Sequence, residues 1–223
     1  MGKLFGTDGI RGVVGENLTA DMAFRVGQAV GTVLMEEKGG RPTVVIGKDT
    51  RISSDMLEAA LTAGILSVGG DVLSVGTIPT PAVAFLARQE GADAGIVISA
   101  SHNPYEHNGI KVFSGQGYKL SDEVEGRIED RILSEAPMKL RTRGEIGRLV
   151  SDGGRRKVDY IDFVASTISE DLHGMRILVD CANGAASATA PELFGRFQAH
   201  TDFIHRAPDG VNIKHRCGST HLE

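Results

Sequence analysis

The stretch AGIVISASHNPYEHNGIKVF, from Ala94 to Phe113, contains two apolar runs separated by a polar loop. Both runs, AGIVISA and IKVF, are short and rich in Val and Ile, which is typical of β-strands. The loop cannot continue a central strand, because Pro104 has no backbone N–H to donate to a neighbouring strand. The connection is too short for a helical crossover, so the sequence predicts an antiparallel pair within a mixed sheet.

Strand-like and helical runs alternate along the rest of the first half of the chain. TVVIG (43–47) and DVLSVG (71–76) are further predicted strands. A helix is predicted after Thr19, a suitable N-cap, because apolar residues then recur on one face; SDMLEAALTAGILSV and the run after Ser121 have the same character. This alternation predicts an α/β fold with a mixed, mostly parallel sheet layered with helices.

A polar stretch rich in glycine and charge, PMKLRTRGEIGRLVSDGGRRK, interrupts this pattern after about Ala136. A second α/β unit follows, with a predicted helix at 158–169, the strand RILVDCA (176–182), a turn at Asn183-Gly184, a helix through Leu193 and a further strand candidate, DFIHR. The sequence therefore predicts a complete domain at residues 1–145, carrying the serine loop, and part of a second, similar domain at residues 155–223.

Composition narrows the class of protein. With 223 residues, of which 41% are hydrophobic, the chain is expected to be a soluble globular protein. Its net charge of -5 and its lack of a long basic run argue against nucleic acid or an anionic membrane as a partner, and no apolar run is long enough to span a bilayer. Two cysteines form no disulfide framework, which favours the cytoplasm. Any anion must be bound by a local cluster of cations.

Ser101 is the first candidate functional residue, because the preceding strand carries its hydroxyl to the carboxyl edge of the sheet, where open α/β folds bind ligands. Arg11, in the glycine-punctuated loop GTDGIRG, and Lys111, just past the serine loop, are candidate cations. A serine oxygen between two fixed cations suits phosphoryl transfer, which depends on positioning and neutralisation of charge. The alternatives are a simple Ser-Asn-Pro turn, an ion pair of Arg11 with Asp8, and a solvated Lys111.

The segments FGTDGIRG, IGKDTRIS, IPTPAVAF, ISASHNPYEHNGIKVF and DCANGA occur in the order and spacing of the α-D-phosphohexomutase family. The chain resembles that family over essentially its whole length, most of all its bacterial phosphoglucosamine mutase branch. The resemblance implies an isomerase that interconverts glucosamine 6-phosphate and glucosamine 1-phosphate through a phosphoserine and a bisphosphorylated sugar. It matches the phosphoserine to Ser101, places Arg11 beside it, makes Lys111 a candidate proton carrier and His102 a supporting loop residue.

The same resemblance implies a Mg²⁺ ion that bridges a phosphoserine oxygen and three aspartates. The aspartate loop expected after CGSTH does not occur in these 223 residues, so the phosphoryl oxygen on Ser101 is the only metal ligand the resemblance assigns within them. The family's third and fourth domains are missing as well, and we expect the chain to be an amino-terminal fragment that is inactive alone. His107 stands where this branch is expected to have an acidic residue, which weakens the choice of sugar.

Other interpretations stay open at this point. A sibling mutase would act on glucose or mannose phosphates, and a non-catalytic half-length protein would only bind a sugar phosphate. The run HRCGSTH contains His215, Cys217 and His221, a poor match to zinc-ligand spacing. The loop GKDTRIS is expected to support the serine loop through pairing of Asp49 with Arg51, with phosphate contact as the alternative. Whether the protein forms a homo-oligomer is also open.

Overall fold

The computed structural model describes residues 4–6, 9–134, 137–151 and 153–220. The strands in this part of the chain are β1 (Ile10–Val13), β2 (Thr43–Lys48), β3 (Asp71–Thr77), β4 (Ala94–Ile98), β5 (His107–Ser114), β6 (Leu149–Ser151), β7 (Arg176–Asp180) and β8 (His200–Ile204). The α-helices are α1 (Ala20–Lys38), α2 (Ile52–Ser67), α3 (Thr80–Gln89), α4 (Asp122–Leu133), α5 (Arg155–Ser166) and α6 (Ala190–Phe194). Single 3-10 turns lie at Arg143–Glu145 and Ala185–Ala188.

Six strands form one sheet in the order β1-β5-β4-β2-β3-β6. β2 is parallel to both β3 and β4, and β6 is parallel to β3. β5 runs antiparallel to β4, and β1 runs antiparallel to β5 at the edge. The predicted α/β class, with a mixed and mostly parallel sheet, is confirmed, and so is the antiparallel pair on either side of the serine loop.

Helices cover both faces of this sheet. Successive strand side chains point to opposite faces, so Ile46 packs with α1, α2 and α4, whereas its neighbour Val45 packs with α3. On the first face, α1 and α2 are in backbone contact, because a Cβ at Gly64 would lie 2.1 Å from the carbonyl oxygen of Phe24. Only glycine permits this approach.

Two helices begin at the residues that the sequence indicates. The Thr19 hydroxyl accepts a hydrogen bond from the backbone N–H of Met22 at 3.1 Å, and the Ser121 hydroxyl accepts one from Val124 at 3.3 Å. Each hydroxyl satisfies an N–H that the first helical turn leaves without a partner. None of the helices in the described ranges combines the length and the apolar character that crossing a bilayer requires.

The second sheet consists of β7 and β8, which pair in parallel. Several expectations here need correction. The candidate strand DFIHR is displaced towards the N-terminus, since β8 begins at His200; α5 begins at Arg155 instead of residue 158; and the helix through Leu193 is only the short α6. The Asn183-Gly184 turn is present, with the Gly184 N–H donating to the Cys181 carbonyl at 2.9 Å.

Two strands of the first sheet were missed by the sequence patterns. GTDGIRG was expected to be a loop, but its second half forms β1, because Arg11 pairs with Gly109 on β5. β6 lies in the polar stretch that interrupts the pattern of strands and helices, and it extends the sheet to Ser151, past the predicted limit of the first domain at residue 145. Both are short edge strands. β6 is exposed at all its positions, and β1 contributes only one apolar side chain to the core, that of Ile10, so neither has the apolar run of an inner strand.

Candidate active site

The serine loop, residues 99–106, connects β4 to β5. Ser101 is exposed and has a φ of 57°, a left-handed conformation that non-glycine residues adopt only where the surroundings hold them. Its backbone N–H donates to the Ser99 hydroxyl at 3.1 Å, and the Asn103 N–H donates to the Ala100 carbonyl at 3.1 Å. The loop therefore turns tightly just past the carboxyl end of β4 and leaves the Ser101 side chain open to solvent.

Arg51 binds the backbone of this loop from the interior of the protein. Its side chain is fully buried, and its guanidinium donates to the carbonyl oxygens of Ser101 (3.2 Å), Asn103 (2.9 Å) and Pro104. The Asp49 carboxylate accepts from Nε of Arg51 at 2.9 Å, so the buried cation is paired as well as hydrogen-bonded. The expected support of the serine loop by pairing of Asp49 with Arg51 is confirmed.

Asn108 provides a second attachment where the loop enters β5. Its buried amide donates to the hydroxyls of Ser53 and Ser54, both at 3.0 Å, and its side-chain oxygen accepts from the Gly109 N–H at 2.8 Å. The N-cap and first turn of α2 therefore bind both the serine loop and the strand that follows it. Sequence reasoning missed Asn108, because its partners Ser53 and Ser54 are more than fifty positions away and leave no local signal.

Lys48 is engaged within the protein. Its ammonium group pairs with Asp55 at 2.7 Å and with Glu58. Burial by itself would lower the pKa of Lys48, but the hydrogen bonds to Asp55 and Glu58 outweigh it and raise the pKa. A charged, doubly paired lysine belongs to the packing of β2 against α2, which argues against its use as a phosphate ligand.

Arg11 and Lys111 lie on neighbouring strands and on the same face of the sheet. Arg11 of β1 pairs with Gly109 of β5, and Lys111 is two residues further along β5. A Cβ at Gly109 would lie 2.9 Å from Cγ of Arg11, so the glycine makes room for the arginine side chain. The Ser99 N–H donates to the Gly109 carbonyl at 2.9 Å, which places the first residue of the serine loop beside Gly109, the strand partner of Arg11. Convergence of both cations on the Ser101 hydroxyl stays a prediction, and Asp8 lies outside the described residues.

His102 lines a cavity of about 290 Å³ between the serine loop and the carboxyl-terminal part of the chain. The other lining residues are Pro104, Tyr105, Glu106, Val211, Ile213, Lys214, His215, Arg216 and Thr220. Lys214 and Arg216 bring two cations to this cavity. Sequence reasoning weighed the run HRCGSTH for zinc alone, so their position beside the serine loop was missed.

The only group of three or more metal-ligand side chains in the described ranges is Asp180, His205 and Cys217, whose ligating atoms lie within 4.8 Å of one another. It does not match the zinc site considered for the run HRCGSTH, since His215 lines the cavity beside the serine loop and His221 lies outside the described residues. The Asp180 carboxylate is already occupied: it accepts from the backbone of Ala182 (2.8 Å), from Gly218 (2.7 Å) and from His205 Nδ1 (3.0 Å). These bonds tie the loops around β7 together.

Comparison with known proteins identifies the family. Residues 2–139 match the family model described as phosphoglucomutase/phosphomannomutase, alpha/beta/alpha domain I. A serine loop at the carboxyl end of a strand, in a mixed sheet covered on both faces, is thus the first domain of a phosphohexomutase. The chain belongs to the phosphoglucomutase/phosphomannomutase family.

Individual relatives agree with this assignment. The chain is 55% identical over 226 residues to the phosphoglucosamine mutase of Moorella thermoacetica and 51% identical over 224 residues to that of Clostridium botulinum strain Langeland. In both cases all of this chain aligns with 50% of the relative, so it spans about half the length of these proteins. A crystal structure of a phosphoglucomutase/phosphomannomutase family protein from Burkholderia thailandensis superposes with a TM-score of 0.77 at 28% identity, covering 93% of this chain and 45% of that one.

Proposed function

We propose that this chain forms the serine-bearing half of a phosphoglucosamine mutase, which interconverts glucosamine 6-phosphate and glucosamine 1-phosphate. The observation that carries the proposal is the exposed Ser101, held in a left-handed conformation by the buried guanidinium of Arg51. A serine whose backbone is fixed in this way presents its side chain from a defined position, and phosphoryl transfer depends on such positioning. The name shared by relatives at 51–55% identity supports glucosamine phosphate as the substrate.

In the proposed reaction Ser101 begins as a phosphoserine. A hydroxyl oxygen of the sugar monophosphate attacks the phosphorus, and the bond from phosphorus to the serine oxygen breaks as the new bond forms. Lys111 is the proposed proton carrier, which takes the proton from the sugar hydroxyl and delivers it to the departing oxygen of Ser101. Arg11 neutralises charge that develops on the phosphoryl oxygens. The bisphosphorylated sugar then reorients within the site and returns its other phosphoryl group to Ser101. His102 supports the loop.

Magnesium takes about six oxygen ligands in near-octahedral geometry. The phosphoryl group on Ser101 would supply one, and the described lining of the adjacent cavity adds the single carboxylate of Glu106. The trio Asp180, His205 and Cys217 offers nitrogen and sulfur beside an occupied carboxylate, which suits Mg²⁺ poorly. The described residues do not fit a magnesium site, and no step of the proposed reaction is assigned to the ion.

We also propose that the two sheets mark two domains, residues 1–145 and 155–223, with β6 as an extension of the first sheet. The separate pairing of β7 with β8 supports this division. Hydrogen bonds connect the units at two places. At the start of α2 the Thr50 hydroxyl donates to the Asn183 carbonyl at 2.6 Å and the Ile52 N–H donates to the Gly210 carbonyl at 2.8 Å, and at the end of α3 Glu90 accepts from Arg156 at 3.0 Å. The serine loop and the second unit are therefore both attached to the segment that begins α2.

The proposed function can be tested with a chimera in which this chain is joined to the remaining half of the Clostridium botulinum relative. We expect it to convert glucosamine 6-phosphate to glucosamine 1-phosphate, faster than it converts glucose or mannose phosphates. Ser101→Ala should abolish turnover and remove the phosphate found by phosphopeptide mapping. The exposed Ser134 provides the matched control, and Ser134→Ala should change neither. Turnover that survives Ser101→Ala, or phosphate on a different residue, would contradict the role given to Ser101.

A further inference from the structure

The cavity beside the serine loop has two walls of different origin. One wall is the serine loop itself, which Arg51 fixes from below. The other contains residues 214–216, Lys-His-Arg, called here the basic segment. A volume of about 290 Å³ is just below the range of sites for drug-sized molecules, which begins at roughly 300 Å³. The cavity is therefore large enough for a small ligand and has positive charge on the wall that faces the serine loop.

The charge in this cavity is opposite in sign to that of the whole chain. Lys214 and Arg216 supply two permanent positive charges, His102 and His215 supply two imidazoles, and Glu106 is the one carboxylate among the lining residues. The chain as a whole has a net charge of -5. Concave sites lined by one sign of charge concentrate ligands of the other sign, so this cavity is suited to an anion.

Hydrogen bonds fix the backbone of the basic segment. The Lys214 N–H donates to the Ala182 carbonyl at 2.9 Å, and the His215 N–H donates to the Asn212 carbonyl at 3.1 Å. Ile213 and Cys217, on either side of the segment, are buried. The segment is anchored at both ends, and its charged side chains project from a fixed backbone.

The conformation of these residues is unusual. Lys214 and Arg216 have φ values of 58° and 51°, in the left-handed region that glycine and asparagine adopt at lower cost. Strained backbone of this kind clusters at functional sites, where the side chain is needed in spite of the strain. Arg143, an exposed cation that does not line this cavity, has a similar φ of 55°, so the case for a bound anion rests on the charge of the cavity lining and not on the strain alone.

We propose that the basic segment, together with His102, forms a subsite that binds the phosphate group of a sugar monophosphate at the approach to Ser101. Arg216 supplies paired N–H donors for two phosphate oxygens, and Lys214 supplies a compact positive charge. This subsite is separate from Arg11 and Lys111, which lie on the sheet face. The identity of the sugar rests on the proposed function, whereas the recognition of phosphate rests on the cavity alone.

The test is phosphate binding to the 223-residue chain, measured by calorimetry with inorganic phosphate and with glucosamine 6-phosphate. We expect the double variant Lys214→Gln, Arg216→Gln to bind each at least about tenfold more weakly, since it loses two charge-assisted contacts. Lys139→Gln with Arg143→Gln is the matched control, because it removes two exposed cations in the polar stretch between the sheets and should leave the affinity unchanged. Glucosamine without phosphate should bind to neither protein.

Backbone NMR of the unsubstituted chain keeps the test independent of how the variants fold. Added phosphate should shift the amide signals of residues 212–216 and of His102. Absence of binding, shifts elsewhere only, or equal weakening in both double variants would overturn the proposal. Failure of the chimera to turn over, or of Ser101 to carry phosphate, would count against the proposed function and leave this binding result unaffected.

Discussion

The two sheets of the molecule bury their strands to very different extents. Every residue of β4 in the first sheet is buried, whereas exposed and half-buried residues alternate along β7 and β8, and Leu178 on β7 is 65% exposed. A covered sheet can hold a strained loop at its edge, because its strands cannot shift without losing apolar burial. The first sheet therefore holds the strand that leads into the serine loop by packing, whereas the strands of the second sheet bury less of their surface.

A single short segment, residues 49–52, serves both regions. Arg51 binds the serine loop, while its neighbours Thr50 and Ile52 bind the second unit through Asn183 and Gly210. These contacts couple the position of the serine loop to that of the cavity wall that carries the basic segment. Substitutions in residues 49–52 should therefore alter both the serine loop and the second unit, whereas a substitution within one sheet should alter the stability of that sheet alone.

The largest effect is expected for Arg51→Ala. Removing the guanidinium leaves the Asp49 carboxylate buried without its partner and frees three carbonyls of the serine loop, and breaking a buried pair in this way costs about 3–5 kcal/mol. Urea unfolding of the chain measures the loss. Arg41→Ala is the control, because its pair with Asp71 is partly exposed and is expected to contribute no more than about 1 kcal/mol.

A loss no greater than that of Arg41→Ala would show that the serine loop does not depend on Arg51. Arg51→Lys sharpens the comparison, since it keeps the charge but not the fork of donors that reaches three carbonyls. We expect it to be intermediate in stability and to lose protection from hydrogen exchange at the Asn103 amide.

A matched pair of leucines tests the difference in burial between the sheets. Leu61 on α2 is fully buried between α2 and α1, so Leu61→Ala should lower the free energy of unfolding by about 2–5 kcal/mol. Leu178→Ala removes the same atoms from an exposed position and should change it by no more than about 0.5 kcal/mol. Urea denaturation measures both. Equal losses would mean that β7 is covered as thoroughly as the first sheet.

Much of the first sheet could be predicted because its strands are buried. β2, β3 and β4 have short apolar runs, and the caps at Thr19 and Ser121 have side chains whose chemistry is local. β1 and β6 could not be found in this way, since an edge strand is recognised by the neighbour it pairs with and not by its own composition. β8 was displaced for a similar reason, because its half-exposed residues carry a weak pattern.

Some residues of the candidate site could also be predicted from the sequence, and others could not. Ser101 was found from its place after a strand, and Asp49 and Arg51 from their loop, because each signal lies within a few residues of sequence. The three carbonyls bound by Arg51 are fifty or more positions away along the chain, and the basic segment is more than a hundred positions from the loop that it faces. Contacts of that separation depend on the tertiary fold, which a single sequence does not specify locally.

The smallest effect is expected from acid, and it should be confined to the second unit. Partial burial by itself would raise the pKa of Asp180, but hydrogen bonds from the Ala182 and Gly218 backbone and from His205 outweigh it and hold the pKa below its ordinary value of 3.8. A lowered pKa in the folded state stabilises the fold at pH values above 3.8, and this contribution disappears as the pH falls through the lower, folded-state value. Hydrogen-exchange protection of β7 and β8 should therefore decline over that range in the unsubstituted chain, and the difference from Asp180→Asn should narrow as it does. The β4 amides are the internal control, because β4 lies in the first sheet and Asp180 in the second. A difference that stays constant with falling pH would mean that the Asp180 carboxylate does not hold the loops around β7 together.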